Sequence, residues 1–402
     1  MNDSTLLADA RTLLPDVIAL RRDLHRIPEI GLALPRTQER VLRGLDGLPL
    51  EIRRGKAVGS VTAVLEGPRP GPTVLLRADM DGLPLHEDTG LEFASETDGA
   101  MHACGHDTHV AMLLGAARLL AARRDELAGR VLFMFQPGEE GYHGARFMLD
   151  EGLLESAGDV RGAFAIHIGT RYRSGTVNLR RGPLLAAGDT IRIIVRGRGG
   201  HASAPHHALD PIMVAAEIAL ALQLMVTRRI NVFDPAVLTI ANITAGTTTN
   251  IIPETAFMQG TMRTLSESTR EQMRALVRQV AEGIAAAHGA RAEVEIEPGY
   301  PVTVNDANFA DHVSDLARDL IGSDDVAEME APIMGAEDFS YVLQRVSGAM
   351  AFLGACPPGT APGEGPQNHS NLVVFDEPAM AVGVALYAAV ALDAQIVRSP
   401  QT

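Results

Sequence analysis

Tryptophan is absent from the 402-residue chain, aromatic residues make up only 4%, and there are two cysteines, Cys104 and Cys356. Two thiols cannot build the disulfide framework of a small secreted protein, so reduced cysteines are expected. Basic residues are scarce as well: 35 Lys and Arg stand against 50 Asp and Glu, a formal net charge of -15. Without a clustered excess of cations there is no phosphate-binding footprint, which excludes a nucleic-acid partner. No uninterrupted apolar run reaches the length of a membrane span. The N-terminal stretch Met1 to Glu29 alternates apolar pairs with charges, as an amphipathic helix does, and lacks the continuous apolar core of a signal peptide. These absences together predict a cytoplasmic protein with no membrane partner.

With 46% hydrophobic and 21% charged residues, the chain can bury one large core or two moderate ones. Two domains are expected. Thr73 to Ala78, Val131 to Gln136 and Gly162 to Ile168 are short apolar runs of the kind buried on both faces of a parallel sheet. Thr108 to Leu127 reads as a long helix between the first two, with Asp107 as its N-cap. From about Ala186 to Pro298 the style changes to strand, helix, strand, strand, helix, strand, a small α+β unit with its own sheet. The first style resumes after Pro301, in Gly348 to Gly354 and Ala379 to Leu392, and Pro357 to Gln367 reads as an extended loop. The expected architecture is an α/β domain with a mixed, mostly parallel sheet (1–185 and 299–402), interrupted by an α+β domain of four strands and two helices (186–298).

Chemistry concentrates in Met101 to His109 (MHACGHDTH), where three histidines, a cysteine and an aspartate crowd nine positions. Gly105 lets the backbone turn so that Cys104 and His106 can converge on one centre. The plainer reading is a helix start with incidental polar residues, which His102 and His109 fit when taken singly. After the strand ending at Gln136, Glu139 and Glu140 point in different directions, so one can ligate a metal while its neighbour holds a water. Alone, such a pair is a solvated surface feature. His167 closes an apolar strand and His369 follows the Pro/Gly loop; singly they read as a core residue and a turn residue. Together, Cys104, His106, Glu140, His167 and His369 form an N/O/S set large enough for two divalent ions if one ligand bridges, leaving Glu139 as general base.

The segments LHRIPE (24–29), RADMD (77–81), HACGHD (102–107), QPGEE (136–140), GGHA (199–202), NIIP (250–253) and GTMRT (260–264) resemble the M20 metallopeptidases. They are most similar to the amidohydrolase branch that includes hippurate hydrolases, aminoacylases and plant auxin-conjugate hydrolases. With His369 in NHSN (368–371), the matches run in order from residue 24 to residue 371, nearly the whole chain. The resemblance implies a dimetal catalytic domain interrupted by a lid or dimerisation domain, with Zn or Mn (Ni and Co also fit) as the ions and an N-acyl amino acid or dipeptide as substrate. It implies Cys104 as the bridge, with His106 and His167 completing one ion's set and Glu140 and His369 the other's. Asp81 would orient an imidazole. It further implies His201 as donor to the tetrahedral oxyanion, Asn250 and Arg263 at the substrate's carboxylate, and a homodimer or higher homo-oligomer formed through the insert. His167 is followed by Ile168-Gly169-Thr170-Arg171, where the family often carries an aromatic or proline-bearing segment, which leaves the acyl pocket unassigned. The few aromatics offer no evident stacking platform for an aromatic acyl group.

Two readings of other classes fit parts of the pattern. A thiol hydrolase with Cys104 as nucleophile leaves Glu140, His167 and His369 without a role. A catalytically inactive binding protein leaves base, ligands and oxyanion donor unexplained.

Overall fold

The strands and helices that the hydrophobic runs mark out assemble into a three-layer α/β core, seen in a computed structural model that describes residues 4–393. The main sheet has eight strands in the spatial order Glu51–Arg54, Val61–Glu66, Ala128–Gln136, Arg69–Asp79, Val160–Gly169, Gly348–Gly354, Val177–Leu179, Val326–Glu328. Its four central strands, from Ala128–Gln136 to Gly348–Gly354, run parallel. Antiparallel pairings flank them on both sides. The central strands are buried almost throughout, which is why they read as continuous apolar runs and not as alternating ones.

The helix predicted from Thr108 runs His106–Ala122 and is followed by a short 3-10 turn, Arg124–Glu126. Its N-cap is Gly105 and not Asp107; Asp107 lies inside the first turn, where its carboxylate meets Arg21 Nε at 2.8 Å and His25 Nδ1 at 2.8 Å. Fourteen of its seventeen residues are buried, because it packs on the sheet and against the helices Ser4–His25 and Met380–Leu392. Gly115 is where these three helices meet most closely: a Cβ there would stand 2.9 Å from methyl groups of both Val17 and Val384. Each fully buried Leu or Met of this layer contributes about 1.5–3 kcal/mol, so Leu113→Ala would cost about 2–5 kcal/mol. The expected N-terminal helix is Ser4–His25, Met1–Asp3 lying outside the described residues. Helices Pro35–Leu45 and Ala307–Ile321 complete the layer.

The chain divides into two units: 4–184, 304–331 and 338–393 form the first, and 185–303 with 332–337 the second. The second unit is an antiparallel sheet in the order Ala236–Ala245, Thr255–Thr264, Ala187–Arg196, Arg291–Pro298. Helices Pro211–Arg229 and Glu267–Ala287 share one core with it. Alternation is clean here: in Thr255–Thr264 every second residue is buried. Asp210 and Ser266 cap the two helices by accepting from Ile212 N and Thr269 N. Pro211–Arg229 is long and apolar enough to cross a membrane by composition alone, but it buries Val214, Ala215, Ile218, Leu222 and Met225 against this core. Its other side leaves Met213, Leu220 and Leu224 exposed, and Ala236–Ala245 is an edge strand with one unpaired side.

Candidate metal centre

The parallel strands end at Asp79, Gln136 and Gly169, and the chemistry-bearing residues lie at or just past these carboxyl ends. Open α/β sheets place their sites at that edge, because the loops leaving neighbouring strands converge there. Cys104 arrives on a loop pinned by reciprocal backbone bonds between Leu83 and Met101. Gly105 follows with φ +86°, and a Cβ there would lie 2.4 Å from Ile168 Cγ2. Only glycine fits, and the turn it makes sets Cys104 and His106 on one side.

In the first unit, Cys104, His106 and His167 each offer a ligand atom, all within 4.8 Å of one another, and so do Cys104, Glu140 and His369. Cys104 is common to both groups. Its Sγ lies 3.4 Å from His167 Nε2, and His369 Nε2 lies 3.2 Å from Glu140 Oε1. His167 Nδ1 donates to Ile168 O at 2.8 Å, leaving Nε2 as the free nitrogen. Glu139 is buried beside this set, with its Oε2 3.9 Å from His106 Nε2. His106 also belongs to a group with Glu139 and Glu140, and to one with Asp79 and His109.

The protonation pattern suits a cation. Burial works against charge on His106, but Asp79 and then Cys104 outweigh it and raise its pKa well above the usual value. Hydrogen bonds to Cys104 and Glu140 push His369 up to about 10. Burial, then Glu140, raises the Cys104 thiol, whereas Glu140 itself is lowered because His369 and His106 outweigh its desolvation. Burial takes His167 down to about 3, so its ring is neutral. Neither buried ring nitrogen of His106 makes a hydrogen bond, an unfavourable state unless something else satisfies it. A thiol, three imidazoles and a carboxylate around such an orphan fit one or two borderline divalent ions.

Asp81 stands 3.5 Å from His106 Nδ1, and each of its oxygens accepts a backbone N–H at 3.0 Å, from Glu139 and from Glu140. It grips the turn that carries the two glutamates more closely than it approaches an imidazole. Further along, Ala145 N donates to Asp338 Oδ2 at 2.9 Å, anchoring the same turn at its other end. Sequence reasoning gave no individual role to Asp79, Arg77 and Asp338, and took His109 singly as incidental to the helix start. Asp79 accepts from His109 Nδ1 at 2.5 Å and from Arg77 Nη1 at 2.7 Å, and Arg77 also reaches Asp338. His109 Nε2 accepts from Ile168 N, so this histidine ties Asp79 to the strand that bears His167. The D-x-D spacing of Asp79 and Asp81 and the i,i+3 spacing of His106 and His109 were the available signals.

His201, Asn250 and Arg263 belong to the second unit. His201 pairs with Ile251 in a two-residue ladder, and Ala202 N donates to Asn250 O, so His201 and Asn250 are neighbours. Ser203 N–H donates to His201 Nδ1, which leaves the proton on Nε2, and the residue is exposed. Arg263 lies near the other end of strand Thr255–Thr264, its guanidinium packed over Gly188, where there is no side chain to displace it. The eight steps from Thr255 to Arg263 span about 26 Å at about 3.3 Å per residue. The structure therefore brings His201 and Asn250 together and keeps Arg263 apart from them.

Residues 75–393 match peptidase family M20/M25/M40. Thermostable carboxypeptidase 1 of Saccharolobus solfataricus is 40% identical over 390 residues, covering 96% of each chain. The N-acetylcysteine deacetylase of Bacillus subtilis is 38% identical over 377 residues, covering 94% of this chain and 96% of the relative. Among solved structures, the Bacillus subtilis YXEP protein, described as a dinuclear metal binding peptidase from the M20 family, superposes with a TM-score of 0.81. It is 34% identical, covering 95% of this chain and 98% of that one. Fold and relatives define a metal-dependent hydrolase of amide or peptide bonds. The chain belongs to the M20 family of peptidases and amidohydrolases.

Proposed function

We propose that this chain hydrolyses the amide bond of N-acyl amino acids, N-acetyl derivatives foremost, at a site where Cys104 would be shared between the ligand sets of two divalent ions. The observation that carries this reading is the pair of ligand groups sharing Cys104 Sγ. His106 and His167 would complete one ion's set, Glu140 and His369 the other's, with Zn or Mn as the ion. When bound, such ions acidify water and polarise a carbonyl. Glu139, held by the Asp81 grip on its backbone, takes the proton of the attacking water and passes it to the leaving amine. His201 directs Nε2–H at the oxygen that gains charge, and Arg263 and Asn250 hold the carboxylate of the leaving amino acid. The scarcity of aromatics favours a small acyl group over a benzoyl one.

One small substrate cannot reach both ends of a strand about 26 Å long. His201 and Asn250 therefore come from one copy of the chain and Arg263 from another. The unpaired edge strand Ala236–Ala245, flanked by exposed Met213, Leu220 and Leu224, supports a homodimer in which this face meets its own copy. Both cysteines are free thiols, which supports a cytoplasmic setting. The 40% identical relative named a carboxypeptidase favours a second reading, removal of a C-terminal amino acid from a peptide by the same site.

Hydrolysis of N-acetyl, N-benzoyl and dipeptide substrates by purified protein, with and without a chelator, tests both. Turnover of N-acetyl amino acids that the chelator abolishes is expected. Turnover that survives full metal removal would overturn the proposal and favour a Cys104 nucleophile.

A further inference from the structure

His369 sits in a left-handed backbone conformation, φ +71°, which non-glycine residues occupy only when their surroundings enforce it. Its own N–H donates to Ala103 O at 2.9 Å. The stronger constraint is the residue before it. Both protons of the Asn368 side-chain amide are used: Nδ2 donates to Cys104 O at 3.0 Å and to Ile168 O at 3.0 Å. Ile168 O is also the carbonyl that accepts from His167 Nδ1. One amide group therefore touches the backbone of Cys104, the carbonyl that orients His167, and, through the chain, His369. These three segments lie up to 264 residues apart in sequence. The rest of the loop, Pro357–Gln367, is largely exposed.

We propose that Asn368 is the positioning residue of the metal centre, a staple that fixes three of its ligands relative to one another. This rests on the metal-binding reading above. The chemistry is specific to an amide: two backbone carbonyls converge on one point and need two donors, which an aspartate of the same shape cannot supply. Asn368 does not itself ligate, since its Nδ2 is 4.0 Å from Cys104 Sγ and is a donor. Loss of the staple frees Ile168 O to rotate, loosens the His167 imidazole, and lets residue 369 leave its left-handed conformation.

The test compares Asn368→Ala with the wild-type chain by chelator competition for Zn2+ and for Mn2+, alongside melting of the metal-free proteins. Outer-shell groups of this kind change metal affinity by about 10- to 100-fold. A loss of that size, with the metal-free melting temperature unchanged, is the expected result. Affinity within about threefold of wild type would overturn the proposal, and so would an equal fall in melting temperature with and without metal, the mark of a merely structural role. Should Asn368→Ala fail to fold, the isosteric Asn368→Asp is assayed at saturating metal. A kcat at least tenfold below wild type is then expected, and an unchanged kcat would overturn the idea. A wild-type chain that takes up neither ion would overturn the metal reading itself and this inference with it. Two bound ions with no effect of Asn368→Ala would overturn the inference alone.

Discussion

Replacing Asp81 by asparagine isolates what holds the proposed base in place. The carboxylate accepts one N–H from each of two successive residues, Glu139 and Glu140, both at 3.0 Å, and it is 1% exposed. Asparagine keeps one acceptor oxygen and turns an NH2 group towards the second N–H, so one bond is lost whichever way the amide flips. A hydrogen bond to a charged acceptor is worth about 1.5–3 kcal/mol. Taking about 2 kcal/mol for the lost bond, and assigning it to the placement of Glu139, kcat should fall about 30-fold at about 1.36 kcal/mol per decade. KM should stay within about twofold, because substrate contacts are untouched. Steady-state kinetics with an N-acetyl amino acid, at several metal concentrations, reads this out. If Asp81 instead acts by orienting His106, excess metal will restore the rate. A kcat within threefold of wild type, or full recovery in excess metal, would refute the reasoning.

Glu139→Gln should abolish turnover while elemental analysis still finds metal bound, since Glu139 is not among the proposed ligands. In the metal-free protein His369, with its pKa pushed up to about 10, His106, raised well above the usual value, and the raised Cys104 thiol all carry protons at pH 7, which incoming ions must displace. Metal affinity should therefore fall as pH falls, with about three protons released per chain near pH 7; calorimetry in buffers of different ionisation enthalpy measures this, and pH-independent affinity would contradict it. In the second unit Asp189 is buried against Arg270 and Arg274, at 2.7 Å from each. Burial alone would raise its pKa, but the hydrogen bonds from Arg274 and Arg270 outweigh it and lower it. This stabilisation is present above the ordinary aspartate value and is lost as pH drops below about 4 through the lowered one. Asp189→Asn should cost about 3 kcal/mol at neutral pH and flatten the acid limb of the unfolding curve. Finally, mixing inactive Glu139→Ala and His201→Ala chains under conditions that exchange subunits should restore about a quarter of wild-type activity if His201 acts in the partner's site. No recovery would show that each chain uses its own.

The architecture was legible because strands buried on both faces, half-buried strands and amphipathic helices carry different hydrophobic patterns. Val131 to Gln136 and Gly162 to Ile168 are apolar without alternation and fall in the parallel centre; the alternating Thr255–Thr264 falls in the antiparallel sheet. The cap of helix His106–Ala122 was misread. A local rule favours an aspartate at that place, but a buried guanidinium from the N-terminal helix, Arg21, claims the Asp107 side chain and Gly105 takes the turn. The ligand-type residues were visible as clusters of unusual side chains. The supports beneath them were legible only in part: the D-x-D and i,i+3 spacings mark Asp79 and His109 locally, but Asp338 and Asn368 carry no local mark. Asp338 meets Arg77 across 261 positions, and Asn368 looks like any loop asparagine until two distant carbonyls converge on it. His109, which taken singly fits an incidental polar residue of a helix start, shows its role only through partners, Asp79 and Ile168 N, on two different strands.

The Asn368 bridge to Ile168 spans 200 residues of chain, and this separation imposes an order on biosynthesis. At about 5–20 residues per second, roughly 10–40 s pass between translation of the strand bearing His167 and of the loop bearing His369. During that interval the nascent protein holds a thiol, two imidazoles and a carboxylate without their last neighbour. Under the proposed division of ligands, Cys104, His106 and His167 are in place for one ion during that interval, whereas the set of Cys104, Glu140 and His369 is completed only when residue 369 is added.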